Sequence, residues 1–454
     1  MDTTDIPPLY AHQQETVDFI EPRDSVFITS SPGTGKTRSV LHAFNVQRDN
    51  HQRMLVLAPL SILQVAWGND CESYTPTLSY QCAYSKNRKK VFEQHSSITL
   101  TNHDAVKWLV KPENQHLAKN FKWLVIDEST AYKNPNSQRS KAVDVLKRVM
   151  NPEKIILMTG TPNNNTIMDI WNQVHILDNG QRLGNYYQFR VQACKPKQLH
   201  GSPVTLWEDK PGIEEDVADI LKDINIRHKF EDCISIPPNK TTTLYTSLSP
   251  KLVKLYNELK EDALIELKSG DITAIHAGVL ASKLLQLTSG AVYDEFKNKQ
   301  VFDTERNDLI IELVSERKHS VVFFNWQHQR EELIKKATKA KISHAIIDGS
   351  ASPAQRIKAV EDFQAGKLQM LLCHPQAAGH GITLTTGTAT IWASPTYNAE
   401  HYVQANQRIY RNGQKNKTET IRICAKDTLE EHVFEKLEGK LDRMNSLLDL
   451  LTTL

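Results

Sequence analysis

Residues 26–37 read VFITSSPGTGKT, and the reading of this stretch decides the fold. Val26-Phe27-Ile28 is an apolar, β-branched run of the kind that forms a short buried strand. A glycine-rich loop comes next and ends in Gly-Lys-Thr. Gly33 and Gly35 allow backbone N–H groups to turn inward around phosphate oxygens, and a helix opening at Lys36 adds its positive dipole end. In such a loop Ser31, Gly33, Thr34 and Gly35 cradle the phosphates. Lys36 reaches the β- and γ-phosphates, and the Thr37 hydroxyl ligates Mg²⁺. The strict pattern has glycine first, where this chain has Ser30.

Working outward, residues 123–128 read WLVIDE. Four apolar residues make a buried parallel strand. Asp127 at its carboxyl end is placed to hold Mg²⁺, and Glu128 to polarise an attacking water. Many strands end in acids. This one gains its meaning from lying about ninety residues after a phosphate-binding loop. Together the two stretches predict binding and hydrolysis of a nucleoside triphosphate.

The chain has 454 residues, enough for two or three domains of ordinary size. Charged residues make up 24% and the net charge is only +2, so any nucleic-acid contact must come from a local groove. No apolar run approaches the ~18 residues that span a membrane, and the polar, acidic start MDTTDIPPLY does not read as a secretory signal. The six cysteines are scattered without Cys-x-x-Cys spacing and read as reduced thiols, not as a zinc or disulfide framework.

Strand-like runs alternate with helical stretches in two regions. The first holds Val26–Ile28, Met54–Ala58, Ile98–Thr101, Leu124–Ile126 and Ile155–Met158. The second holds Val321–Phe324, His344–Ile347, Met370–Cys373, Thr390–Ala393 and Thr420–Cys424. Each predicts a parallel sheet covered by helices, an α/β architecture. The stretch from about 163 to 300 is more helical. Within it Ile236–Lys240, with its Pro-Pro pair, reads as a linker, and 251–268 as a helix.

Five smaller features complete the pattern. Thr159-Gly160-Thr161 follows a strand and can hydrogen-bond the acidic pair; alone it is a turn. In QANQRIYRNGQ (404–414), Arg408 and Arg411 are three apart and would share a helix face. A guanidinium at the γ-phosphate is worth about 10³–10⁵ in rate, but Arg-x-x-Arg alone is a common solvated face. In HPQAAGHGITL (374–384), Gly379 and Gly381 permit close approach to a phosphate and Thr383 adds a hydroxyl. The Gln13 amide, which can donate and accept, is suited to an adenine edge or simply to the surface. The lysine-rich runs 86–90 and 335–341 read as DNA-backbone contacts or as solvated faces.

In order and content these motifs resemble superfamily 2 helicases, and within them the Swi/Snf-like branch, over nearly the whole chain. LYAHQQETVDFI resembles the adenine-sensing Gln motif, with Gln13 in the Gln position. SSPGTGKT, VLAPLSILQVAW, VIDESTAYKNPNSQRSKAV and MTGTPNNN are similar to motifs I, Ia, II and III. HPQAAGHGITL and QANQRIYRNGQ are similar to motifs V and VI, and the Arg411–Gln414 ending is typical of this branch. Motif II reads Asp-Glu-Ser-Thr, not Asp-Glu-Ala-His, which implies altered signalling through its last residue. The motif II and V forms look like compact bacteriophage versions.

The resemblance implies two RecA-like lobes with ATP and Mg²⁺ in the cleft between them. Lobe one is expected over residues 1–240, with a helical insertion at about 163–230. Lobe two is expected over 241–454, with an insertion at about 245–290 and a C-terminal helix. Implied catalytic residues are Lys36, Asp127, Glu128, Arg408 and Arg411. Thr159, Gly160, Thr161 and Gln404 would couple the motifs. Pro59, Ser61, Thr101, Asn102, Asn325, Trp326, Gly379 and Thr383 would contact DNA. The implied activity is an ATP-dependent DNA helicase or translocase that remodels forks and four-way junctions in phage-type replication, recombination or repair. The alternatives are a duplex translocase that displaces proteins without separating strands, or the motor subunit of a larger DNA-processing complex. The implied setting is a monomer, with accessory replication or recombination proteins, in the cytoplasm of an infected bacterium if the gene is a phage's.

Overall fold

The computed structural model describes residues 6–49, 51–163, 165–198, 205–233, 235–268, 274–293, 299–302, 305–378 and 382–453. The chain divides into two compact units, the first built on Met1–Lys197 and Thr205–Ser235 and the second on Ile236–Leu441.

The first unit carries β1 (Ser25–Ile28), β2 (Arg53–Ala58), β3 (Tyr80–Ala83), β4 (Ile98–Asn102), β5 (Phe121–Asp127), β6 (Lys154–Met158), β7 (Cys194–Gln198), β8 (Thr205–Asp209) and β9 (Asn225–Ile226). Seven of these form one parallel sheet in the order β3-β4-β2-β5-β6-β1-β9, while β7 and β8 pair separately. All six residues of β2 and all five of β6 are buried. After their first residues, Arg53 and Lys154, both are the unbroken apolar runs that parallel strands covered by helices on both faces need. One face packs Val26, Ile28, Val56, Val125 and Ile156 against Phe44, Trp67 and Trp123.

This strand order fixes the site. β5, β6 and β1 are neighbours, with Asp127 level with Met158 and Ile28 level with Met158. The three motifs that leave the carboxyl ends of these strands therefore emerge side by side. Open parallel sheets bind their ligands at that edge.

The second unit carries β10 (Asn239–Thr246), β11 (Ala291–Tyr293), β12 (Lys299–Val301), β13 (Ser320–Phe323), β14 (His344–Ile347), β15 (Met370–Cys373), β16 (Ala389–Trp392) and β17 (Thr418–Ala425). Its main sheet is parallel, in the order β10-β17-β16-β13-β15-β14. Strand alternation sorts its side chains: Val321 and Phe323 join Trp392 in one core, and Val322 joins Ile391 and Leu372 in the other. Both sheets, flanked by helices, are RecA-like.

Several elements depart from the sequence reading. Asn239 and Lys240, read as part of a linker and as the end of lobe one, are the first residues of β10, paired with Thr418 and Glu419 of β17. The first unit's insertion is not purely helical. It holds helices Met168–Asp178, Tyr186–Ala193 and Ile213–Leu221, the β7–β8 hairpin, and β9, which joins the main sheet. In the second unit, helices Pro250–Lys268 and Ala274–Thr288 lie between β10 and β11. Among the described residues no helix is long and apolar enough to cross a membrane.

Candidate active site

The loop after β1 is held from two sides. Gly33 and Gly35 adopt φ of 86° and 81°, a region that glycine enters without a side-chain penalty. A Cβ on Gly35 would also lie 2.2 Å from Gln13 Nε2. From one side, His12 Nε2 lies 2.8 Å from the Thr34 carbonyl, and Gln13 Nε2 donates to the same oxygen at 3.4 Å. From the other, Ser31 N–H donates to the His228 carbonyl, His228 N–H to Ser30 Oγ, and Arg227 to the Thr29 carbonyl. The short strand β9 brings Arg227 and His228 there. Gln13 Oε1 also accepts the Tyr10 N–H at 3.1 Å, so this amide braces the loop and the start of helix Ala11–Ile20.

Lys36 opens helix Lys36–Gln47 and folds its ammonium over the loop, donating to the carbonyls of Ser30 (2.8 Å) and Ser31 (3.2 Å). Burial lowers its pKa below the ordinary lysine value; Glu128 and Asp127 pull it back up, and Arg227 pushes it down. Thr37 is half-buried in the first turn of the same helix.

Asp127 is buried at the end of β5. Its Oδ2 accepts the indole N–H of Trp67 at 2.9 Å, and its Oδ1 accepts the Glu128 N–H at 3.0 Å. Burial raises its pKa, against the Trp67 bond, the Lys36 charge and the Glu128 N–H. Glu128 sits at φ 53°, ψ 57°, in the left-handed region. A non-glycine residue held there costs of order 1–3 kcal/mol, and such residues concentrate at active sites. Among the described residues no cluster of three metal-ligating side chains occurs. One carboxylate and one hydroxyl, Asp127 and Thr37, nevertheless fit Mg²⁺, which favours hard oxygens and completes its shell with water and phosphate.

Thr159 and Thr161 are buried beyond β6. Thr159 N–H donates to the Ile28 carbonyl at the end of β1, and Thr161 N–H to Thr159 Oγ1. Gly160 faces the phosphate loop so closely that a Cβ would lie 2.6 Å from Pro32 Cδ. Gln173, fully buried on helix Met168–Asp178, ties the acidic motif to this turn. It accepts the Ser129 hydroxyl and donates to the Pro162 carbonyl.

In the second unit, helix Ala399–Asn406 ends before the arginines. Arg408 and Arg411 therefore do not share a helix face, in contrast to the expectation from their spacing. They converge by another route, both donating to the Ile382 carbonyl, at 3.4 and 3.1 Å. Gln404 is buried and donates to Glu400 Oε1.

A model of the SNF2-related domain matches residues 12–301, and a model of the helicase conserved C-terminal domain matches residues 305–413. The chain belongs to the SNF2-related family. It is accordingly an ATP-dependent enzyme of the helicase and translocase class. It is 26% identical over 438 residues to putative protein p41 of Acyrthosiphon pisum secondary endosymbiont phage 1, covering 92% of this chain and 93% of that protein. It is 28% identical to an uncharacterized ATP-dependent helicase of Mycoplasma genitalium, covering 99% of this chain but 43% of that protein. With the DNA annealing helicase and endonuclease ZRANB3 of Bos taurus it shares 24% identity, over 97% of this chain and 40% of that protein. The chain thus spans less than half the length of the last two.

Two residues expected to contact DNA in this SNF2-related chain are engaged internally. Thr101 is fully buried, and its hydroxyl donates to the Ala83 carbonyl on the neighbouring strand β3. Asn325 gives its amide N–H groups to Ser394 and the Pro395 carbonyl. Ser61 is exposed, whereas Pro59, Asn102, Trp326 and Thr383 are half-buried. Asn102 Oδ1 accepts from Arg88 at 2.9 Å. Gly379, with Gly381, lies outside the described residues. Trp67, Gln173, Arg227 and His228 escaped the sequence reading. Gln173 lies in the mixed run IWNQVHIL beside Asn172 and His175, so its sequence context carried no signal.

Proposed function

We propose that this enzyme is an ATP-driven DNA motor that remodels branched DNA, forks and four-way junctions, in replication, recombination or repair. The observation that carries the reading is the emergence of the phosphate loop, Asp127–Glu128 and Thr159–Thr161 from the three adjacent strands β1, β5 and β6. In it, Ser31–Thr37 bind the triphosphate, with Lys36 on the β- and γ-phosphates and Gln13 beside the base. Glu128 polarises the attacking water. Arg408 and Arg411 supply guanidinium charge to the γ-phosphoryl group during turnover. Thr159, Gly160, Thr161 and Gln404 couple hydrolysis to movement. When bound, Mg²⁺ held by Asp127 and Thr37 neutralises phosphate charge.

Contact with DNA falls to Pro59, Ser61, Asn102, Trp326 and Thr383. The exposed Lys86, Lys89 and Lys90 flank Arg88, the partner of Asn102, and suit phosphate contacts. The choice of branched substrates is supported by similarity to a DNA annealing helicase and endonuclease. The test is a labelled synthetic four-way junction incubated with the protein, with and without ATP. ATP-dependent conversion to forked or duplex products supports the reading. DNA-stimulated turnover that leaves the junction intact replaces it with duplex translocation.

A further inference from the structure

Trp67 lies in a π-helical segment, Leu63–Gly68, in the connection after β2. π-Helical turns are rare and gather at functional sites. The indole is fully buried, sixty positions away in sequence from the acid it serves. Its N–H donates to Asp127 Oδ2 at 2.9 Å, while the backbone N–H of Glu128 holds Oδ1 at 3.0 Å. An ionised carboxylate offers about four lone-pair directions. One donor on each oxygen leaves the others free and removes rotation about the side chain's last bond. The Glu128 N–H alone cannot do this, because it comes from the adjoining residue and touches one oxygen only.

We propose that Trp67 is a positioning residue for the metal-binding carboxylate. Its indole N–H locks Asp127 in the one orientation that presents the remaining lone pairs to Mg²⁺. Partners that orient a metal ligand without touching the metal are worth about 10–100-fold in metal affinity. The inference rests on Asp127 being the metal ligand, and the test separates the two statements.

The full-length chain is titrated with Mg²⁺ while binding of a fluorescent ADP analogue is followed, with an EDTA-treated sample as the metal-free reference. Trp67→Phe removes the N–H and keeps an aromatic ring. It is expected to need roughly 10–100-fold more Mg²⁺ to reach the tight-binding form, with metal-free nucleotide affinity unchanged. Benzothienylalanine at position 67 keeps the bicyclic shape and lacks the N–H, so it reads the bond even if the phenylalanine variant folds poorly. The same displacement in the isosteric protein supports the proposal. A midpoint within about twofold of wild type in that protein overturns it, since the predicted loss is at least tenfold. Asp127→Asn run alongside should lose the Mg²⁺ response. If it does not, the ligand assignment fails, whatever Trp67 does.

Discussion

The Ser129 hydroxyl donates to Gln173 Oε1 at 2.6 Å, and Gln173 Nε2 donates onward to the Pro162 carbonyl at 2.8 Å. One buried amide thus joins the residue after the acidic pair to the turn beyond β6. The chain reads Asp-Glu-Ser-Thr at this motif, and the serine supplies the donor that makes the link.

Gln173→Leu should therefore leave both the Ser129 hydroxyl and the Pro162 carbonyl buried without a partner, at about 1–3 kcal/mol. The thermal midpoint should fall and DNA-stimulated turnover should drop, with ATP affinity nearly unchanged. Adding Ser129→Ala should recover part of the stability, because the orphaned hydroxyl is then gone. A double-mutant cycle by thermal unfolding measures this; strictly additive losses would separate the two residues.

Gly160→Ala should act on the phosphate loop. The new Cβ would meet the Pro32 ring at 2.6 and 2.8 Å, and a proline ring cannot swing aside. Overpacking of this kind costs about 1–3 kcal/mol, expected here as a raised KM for ATP. Gly349→Ala is the control, because nothing lies within 4 Å of its Cβ position. It should change stability by no more than about 0.5 kcal/mol.

The second unit has a buried clamp. Glu430, fully buried, accepts from both terminal nitrogens of Arg306, from the Ala425 N–H and from the Thr288 hydroxyl. Arg306→Met should destabilise by about 3–5 kcal/mol by stranding the carboxylate. Replacing both Arg306 and Glu430 by Met should cost less than replacing Arg306 alone. Calorimetric unfolding of the three variants decides this.

Asp348 gives a pH dependence. Burial opposes its ionisation, but Ser350 and Arg330 overcome that and hold its pKa down to about 2. A depressed carboxylate pKa contributes stability that is complete above the unfolded value, near 4, and disappears as pH falls through the folded one. Asp348→Asn should thus be less stable than wild type at pH 5, and the gap should close between about pH 4 and 2. Denaturant midpoints measured across that range would show a constant gap if the carboxylate charge were irrelevant.

The sheets were legible because buried parallel strands are unbroken apolar runs, as in Leu124–Ile126 and Met370–Cys373. β10 was not legible, because NKTTTLYT is a polar, half-exposed edge strand placed directly after two prolines. The phosphate loop and Asp127–Glu128 were legible because their chemistry is local. Trp67 and Gln173 act on residues 60 and 44 positions away, a relation only the fold creates. Thr101 failed as a DNA contact because its strand register turns the hydroxyl onto β3.

The central claim is tested most directly by ATP turnover of wild type, Glu128→Gln and Arg411→Ala, each with and without duplex DNA. Wild type should accelerate with DNA. Glu128→Gln should bind ATP and lose about 10²–10⁴ in turnover, and Arg411→Ala should lose most of the DNA-stimulated rate while keeping ATP affinity. Normal hydrolysis by Glu128→Gln, or a wild-type rate indifferent to DNA, would contradict the account.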